Sequence, residues 1–116
     1  MAREPNLIAW QWQTYARNHR SRANLLLHMA AVPAFIGGML AAVTMAVQRQ
    51  WLGALVALVF AAVAFLAQGI GHKWEKEAPI PFDGPGDFIS RVFVEQFITF
   101  PRFVLVGQWM RNMTDV

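Results

Sequence analysis

The sequence predicts an all-α integral membrane protein. Its centre is a transmembrane helical hairpin, flanked by an N-terminal amphipathic helix and a kinked C-terminal helix that lies at the interface or re-enters the membrane. Three observations carry that reading. Residues 25–47 and 52–71 are apolar runs with no formally charged residue, taking His28 as neutral, and each meets the roughly 20 residues a spanning helix needs. Only Gln48, Arg49, Gln50 and Trp51 separate them, which forces antiparallel neighbours. The 116 residues are 56% hydrophobic and 15% charged. A single soluble domain of that length exposes too much surface for this composition unless lipid covers part of it.

Residues 6–20 read as an amphipathic helix. Ile8, Trp12, Tyr15 and His19 share one stripe and Arg17 and Arg20 lie off it, a pattern suited to the headgroup level. Arg3, Glu4, Arg17, Arg20 and Arg22 interrupt the first two dozen residues, so no signal peptide is expected. In the hairpin, residues at equal depth sum to about 99 when both helices rise equally. Gly38 then faces Ala61, Ala42 faces Ala57, and His28 meets Gly71 and His72. Small residues at matched depth let membrane helices approach closely. Four arginines precede the first run, Lys73 and Lys76 follow the second, and the link holds only Arg49. The positive-inside rule places both termini in the cytoplasm, with the inner membrane expected for a bacterial chain and the endoplasmic reticulum for a eukaryotic one.

Residues 78–87 form a loop rich in proline and glycine, and Asp87 is the expected N-cap of the next helix. Residues 88–111 form the third apolar element. Ile89, Phe93, Phe97, Phe100 and Val104 make one face, Arg91, Glu95 and Arg102 another, and Pro101 should kink it. The whole chain, 1–116, reads as one membrane domain.

The chain has no cysteine, which excludes disulfides, thiolate metal sites, iron–sulfur clusters and cysteine nucleophiles. The net charge of +3 comes from scattered basic residues flanking the apolar runs, so no nucleic-acid partner is expected. The bilayer is the expected partner, and oligomerisation stays open.

His28 and His72 carry the chemistry. Ionisable residues inside spans default to functional hypotheses, and two imidazoles on facing helices begin a metal site. Along an unbroken helix His19 would stand about 13.5 Å from His28 and on the opposite face. It can join them only if the chain turns between Ser21 and Asn24, whose side chains compete for backbone hydrogen bonds. Glu75 follows His72 by three residues and can share its face. Two histidines and a carboxylate make the facial arrangement of non-haem Fe(II) oxygenases. Glu95 is the other candidate carboxylate, though Arg91 four residues earlier is an ordinary ion-pair partner for it. Asn24 can orient His28, and Arg20 and Arg22 can hold a fatty-acid carboxylate or lipid phosphates.

The segment YARNHRSRANLLLHMAAVP (15–33) resembles the Tyr–His–Asn–His–Pro segment of a membrane family once known only as a domain of unknown function. Its characterised fungal member is an Fe(II)-dependent dioxygenase of 2-hydroxy fatty acids such as 2-hydroxypalmitate. QGIGHKWEKEAPIPF (68–82) resembles the family's second signature, and VEQFITFPRFVLVG (94–107) is similar to the closing segment of short bacterial-type members. The resemblance implies α-oxidation, in which molecular oxygen converts a 2-hydroxy fatty acid to the acid one carbon shorter. It also implies that His19, His28 and His72 bind Fe(II), with Glu75 less securely matched. Tyr15, Arg20, Asn24 and Glu95 are then supporting or substrate-contacting candidates. Two other readings stand beside it. One is a haem-binding subunit ligated by His28 and His72. The other is a non-catalytic membrane adaptor whose histidines are structural.

Overall fold

The computed structural model describes residues 5–114. Among these, regular structure is all helical. Asn6 caps α1 (Leu7–Tyr15), its side chain accepting the Ala9 N–H at 3.2 Å. The helix expected over 6–20 stops at Tyr15. There His19 folds back, and its Nδ1–H donates to the Tyr15 carbonyl at 2.8 Å. Residues 16–21 form the break, slightly earlier than the Ser21–Asn24 position read from sequence. Ser21 then caps α2 (Arg22–Val47), accepting from the Asn24 N–H.

α2 and α3 (Trp51–His72) pack along their length. Their link closes with Arg49 in a left-handed conformation, φ 61°. The Arg49 N–H donates to Ala46 O and the Gln50 N–H to Met45 O, the paired bonds of a Schellman cap. The closest approach is at Gly38. A Cβ there would lie 3.0 Å from Ala61 Cβ and 3.1 Å from Ala57 O. Both helices are long and apolar enough to cross a membrane. Leu40, Val43, Leu55, Val59, Val63 and Leu66 all point outward, exposed.

The C-terminal segment departs most from the expected continuous helix over 88–111. α4 spans Pro85–Val94, with Pro85 in its first turn. Gly84, at φ 105°, takes the cap position expected of Asp87. Asp87 sits inside the first turn instead and accepts the Asp83 N–H at 2.9 Å. Residues Glu95–Thr99 then widen into a π-helical turn, in which the Phe100 N–H reaches back to Glu95 O. Pro101 explains the widening. It has no N–H for the Phe97 carbonyl, and its ring would press on that oxygen. α5 (Phe100–Leu105) is followed by Gly107, φ 83°, and then by α6 (Gln108–Thr114).

Across α4 and the π turn several polar residues turn inward and several large apolar ones outward. Arg91, Gln96 and Thr99 are buried, while Ile89, Phe93, Phe97 and Ile98 are exposed. α1, the π turn and α6 cover one end of the α2–α3 pair. There Tyr15, Leu25, Val32, Phe100 and Phe103 form a buried cluster.

Candidate metal centre

The covered end gathers the three histidines from three places in the chain. His28 comes from the first turns of α2, His72 is the last residue of α3, and His19 sits in the break after α1. Their ring centroids stand 5.0 Å (His19–His28), 4.8 Å (His19–His72) and 5.0 Å (His28–His72) apart. The rings are close to perpendicular, at 77–88°, as for groups converging on a point rather than stacking.

Backbone contacts set two of the rings. The Nδ1–H of His19 donates to Tyr15 O, and that of His28 donates to Asn24 O at 3.0 Å. A carbonyl only accepts, so each ring carries its proton on Nδ1 and turns a lone pair on Nε2 inward. Those two Nε2 atoms, and Nδ1 of His72, are buried with no hydrogen-bond partner. Three unpartnered imidazole nitrogens in one spot are costly unless something accepts their lone pairs.

The fourth member is Glu95, on the π turn. Its Oε2 lies 3.5 Å from His19 Nε2 and 3.7 Å from His28 Nε2. Ligand atoms of His19, His28, His72 and Glu95 all lie within 4.8 Å of one another. Two ligands of a shared ion at about 2.1 Å stand at most about 4.2 Å apart, so small rotations would close this set on one. Three imidazoles and a carboxylate suit first-row transition ions.

Tyr15 braces the carboxylate. Its hydroxyl donates to Glu95 Oε2 at 2.7 Å, and its ring stacks on His19 at 3.8 Å. Burial raises the Tyr15 pKa well above its ordinary value, and the charge and hydrogen bond of Glu95 add to it. The phenol therefore stays protonated and donating. Burial would raise the Glu95 carboxyl, but the close approach of the His19, His28 and His72 imidazoles outweighs it. The carboxyl is held at about 2, an anion throughout the physiological range.

Glu75 lies elsewhere. Its Oε1 accepts the N–H groups of Arg20 (2.8 Å) and Ser21 (2.9 Å), and its Oε2 accepts from Asn24 Nδ2 (2.7 Å). It ties the end of α3 to the start of α2. The physical reason is that α2 begins with unsatisfied N–H groups, and Glu75 is the anion beside them. Asn24 orients His28 through its backbone carbonyl, while its side chain serves Glu75. The Arg20 side chain lines an outer cleft with Arg17 and Lys76, and Arg22 donates to Met113 O.

Two features of the site were not read from the sequence. Gly71 lets Asn24 pass: a Cβ there would collide with Asn24 Oδ1 and lie 2.8 Å from Leu27 Cδ2. Buried amides clamp the π turn. Gln68 and Gln96 exchange two hydrogen bonds, 2.9 and 2.7 Å. Thr99 bonds to Gln11, which in turn donates to Arg91 O. Polar residues clustered in an otherwise apolar segment, just before Pro101, are the sequence signal for that turn.

A family model described as 2-hydroxy-palmitic acid dioxygenase Mpo1-like matches residues 6–106 of the chain. Neither the curated proteins nor the solved structures give a match.

Proposed function

The chain belongs to the 2-hydroxy-palmitic acid dioxygenase Mpo1-like family, and on that premise we propose that it is a membrane-embedded non-haem iron dioxygenase. Its substrates on this reading are 2-hydroxy fatty acids and molecular oxygen, and its products are the fatty acid one carbon shorter with, by atom balance, carbon dioxide and water. The observation that carries it is the convergence of His19, His28, His72 and Glu95, with three buried imidazole nitrogens left without partners.

These four residues would hold Fe(II), which when bound supplies a redox-active Lewis acid for oxygen and for the hydroxy acid. The rest is the work of the chain. Tyr15 O and Asn24 O fix the tautomers of His19 and His28, so both present Nε2 without reorganisation. Tyr15 holds the Glu95 carboxylate in place. Phe100 and Phe103, both buried, pack beside the histidine rings and keep water from that side. A small cavity of about 40 Å³ bordered by Tyr15, His19, His72 and Glu95 leaves room for a molecule the size of water or dioxygen.

The two apolar helices would span the bilayer. Arg17, Arg20, Lys73 and Lys76 flank their covered ends, which supports a site and both termini at the cytoplasmic interface. A lipid substrate then keeps its chain in the bilayer and presents its head to the site. The haem alternative fits less well. Bis-histidine haem needs its imidazoles on opposite faces of a macrocycle, and here a third imidazole and a carboxylate meet at the same point.

Anaerobic purification followed by metal analysis and product identification tests the proposal. Wild type should carry stoichiometric iron and release the shortened acid, and His28→Ala and His72→Ala should do neither. Unchanged iron in both variants would remove the site from consideration. A non-catalytic adaptor would keep its cellular role in both.

A further inference from the structure

We infer that the substrate's acyl chain leaves the site through a cavity between α3, α4 and the 79–82 loop and then lies in the groove between α2, α3 and α4, where α3 measures its length. This rests on the dioxygenase reading above.

The cavity, about 230 Å³, is bordered by the polar side chains of His72, Glu95, Gln68 and Arg91 and by the apolar rings of Phe65 and Phe82. The polar groups suit a hydroxy-carboxylate head, and Phe65 marks the apolar exit for an alkyl tail. Phe65 also borders the next depression, about 240 Å³, whose lining of Phe35, Met39, Leu58, Ala62, Phe88 and Phe93 is apolar. The two spaces meet at that ring. Phe65 packs edge-on against Phe88 at 5.6 Å, and Phe88 packs against Phe82 at 4.8 Å. Three aromatic rings therefore frame the passage from the site to the outer face of the hairpin. That face is the one the two apolar helices would turn to lipid, so a chain can enter sideways without crossing water.

Position along α3 converts to chain length. At 1.5 Å per residue, Gly69 lies about 4.5 Å, Ala62 about 15 Å and Leu58 about 21 Å from His72. An extended alkyl chain advances about 1.25 Å per carbon, given tetrahedral carbons and bonds of about 1.5 Å. Ala62 then falls at about the twelfth carbon and Leu58 at about the seventeenth.

Three substitutions on α3 separate these positions. Nothing stands within 4 Å of a Cβ built on Gly69, so a side chain can start there without a clash and Gly69→Leu narrows the cavity. It should cut turnover of 2-hydroxy acids of every length. Ala62 is exposed in the groove, and Ala62→Phe should move the preference toward shorter acids by several carbons. Leu66→Trp, on an exposed site outside the groove, should leave the profile as in wild type. Iron content should stay at the wild-type level in all three.

Photolabelling gives a readout independent of turnover. A long-chain 2-hydroxy acid with a terminal diazirine, added to the protein in lipid nanodiscs, should label Met39 and Leu58 above the other outward residues. A length profile unmoved by Ala62→Phe, or label spread evenly over α2 and α3, would overturn the groove. Groove labelling without turnover of any 2-hydroxy acid would instead overturn the reaction and leave the groove standing.

Discussion

Glu75 and Glu95 are the two carboxylates the sequence offers to the histidines, and the fold gives them different work. Glu75 follows α3 by three residues and spends its oxygens on Arg20 N, Ser21 N and Asn24 Nδ2. Glu95 sits on a distant π turn and spends one oxygen on Tyr15 and the histidine nitrogens. The difference lies in what each backbone offers. The start of α2 presents N–H donors that any nearby carboxylate will satisfy. The π turn presents no such demand, and its widened register aims a side chain inward, as such turns often do at functional sites. Nearness in sequence to a histidine therefore led to the brace, and the wider turn carries the carboxylate that stands among the histidines.

The sharpest break in this comparison is a pair of charge deletions. Glu95→Ala should lower iron affinity by more than the roughly 10–100-fold typical of losing a residue that only supports a ligand, and Glu75→Ala should leave it within that range. Isothermal titration with Fe(II) under anaerobic conditions measures both. Next in size is Gly71→Ala. It forces Asn24 and Leu27 aside and should cost roughly 1–3 kcal/mol by overpacking, read as a lower denaturation midpoint in detergent. Gln68→Leu leaves the Gln96 amide buried and unpaired, a loss of about 1–3 kcal/mol with a less ordered Glu95 and weaker iron binding. Glu75→Ala should cost about 1–2 kcal/mol of stability, because its contacts lie near the surface. Tyr15→Phe should be mildest for the fold and lower iron affinity by roughly 10-fold.

Much of this was legible in the sequence. Two uncharged runs and a four-residue link led to a pair of long apolar helices, and the matched-depth rule brought Gly38 to Ala61, where the structure shows contact. The same rule brought His28 to His72. For His19 the helix geometry demanded a turn before α2, and the chain does break there, although at residues 16–21. Glu95 was harder, because Arg91 four residues before it is its natural partner on an isolated helix. In the fold Arg91 is taken by the carbonyls of Ile80 and Pro81 and by Asp87. That competition comes from a loop whose path no local pattern fixes. The inward turn of Arg91, Gln96 and Thr99 was equally hidden, since periodicity locates two faces without saying which one packs inward.

The central claim is that His19, His28, His72 and Glu95 hold one iron. Anaerobic iron titration of wild type, Glu75→Ala and Glu95→Ala tests it most directly. Stoichiometric binding is expected for wild type and Glu75→Ala, and none at the same concentrations for Glu95→Ala. Loss of iron in Glu75→Ala with full binding in Glu95→Ala would contradict it.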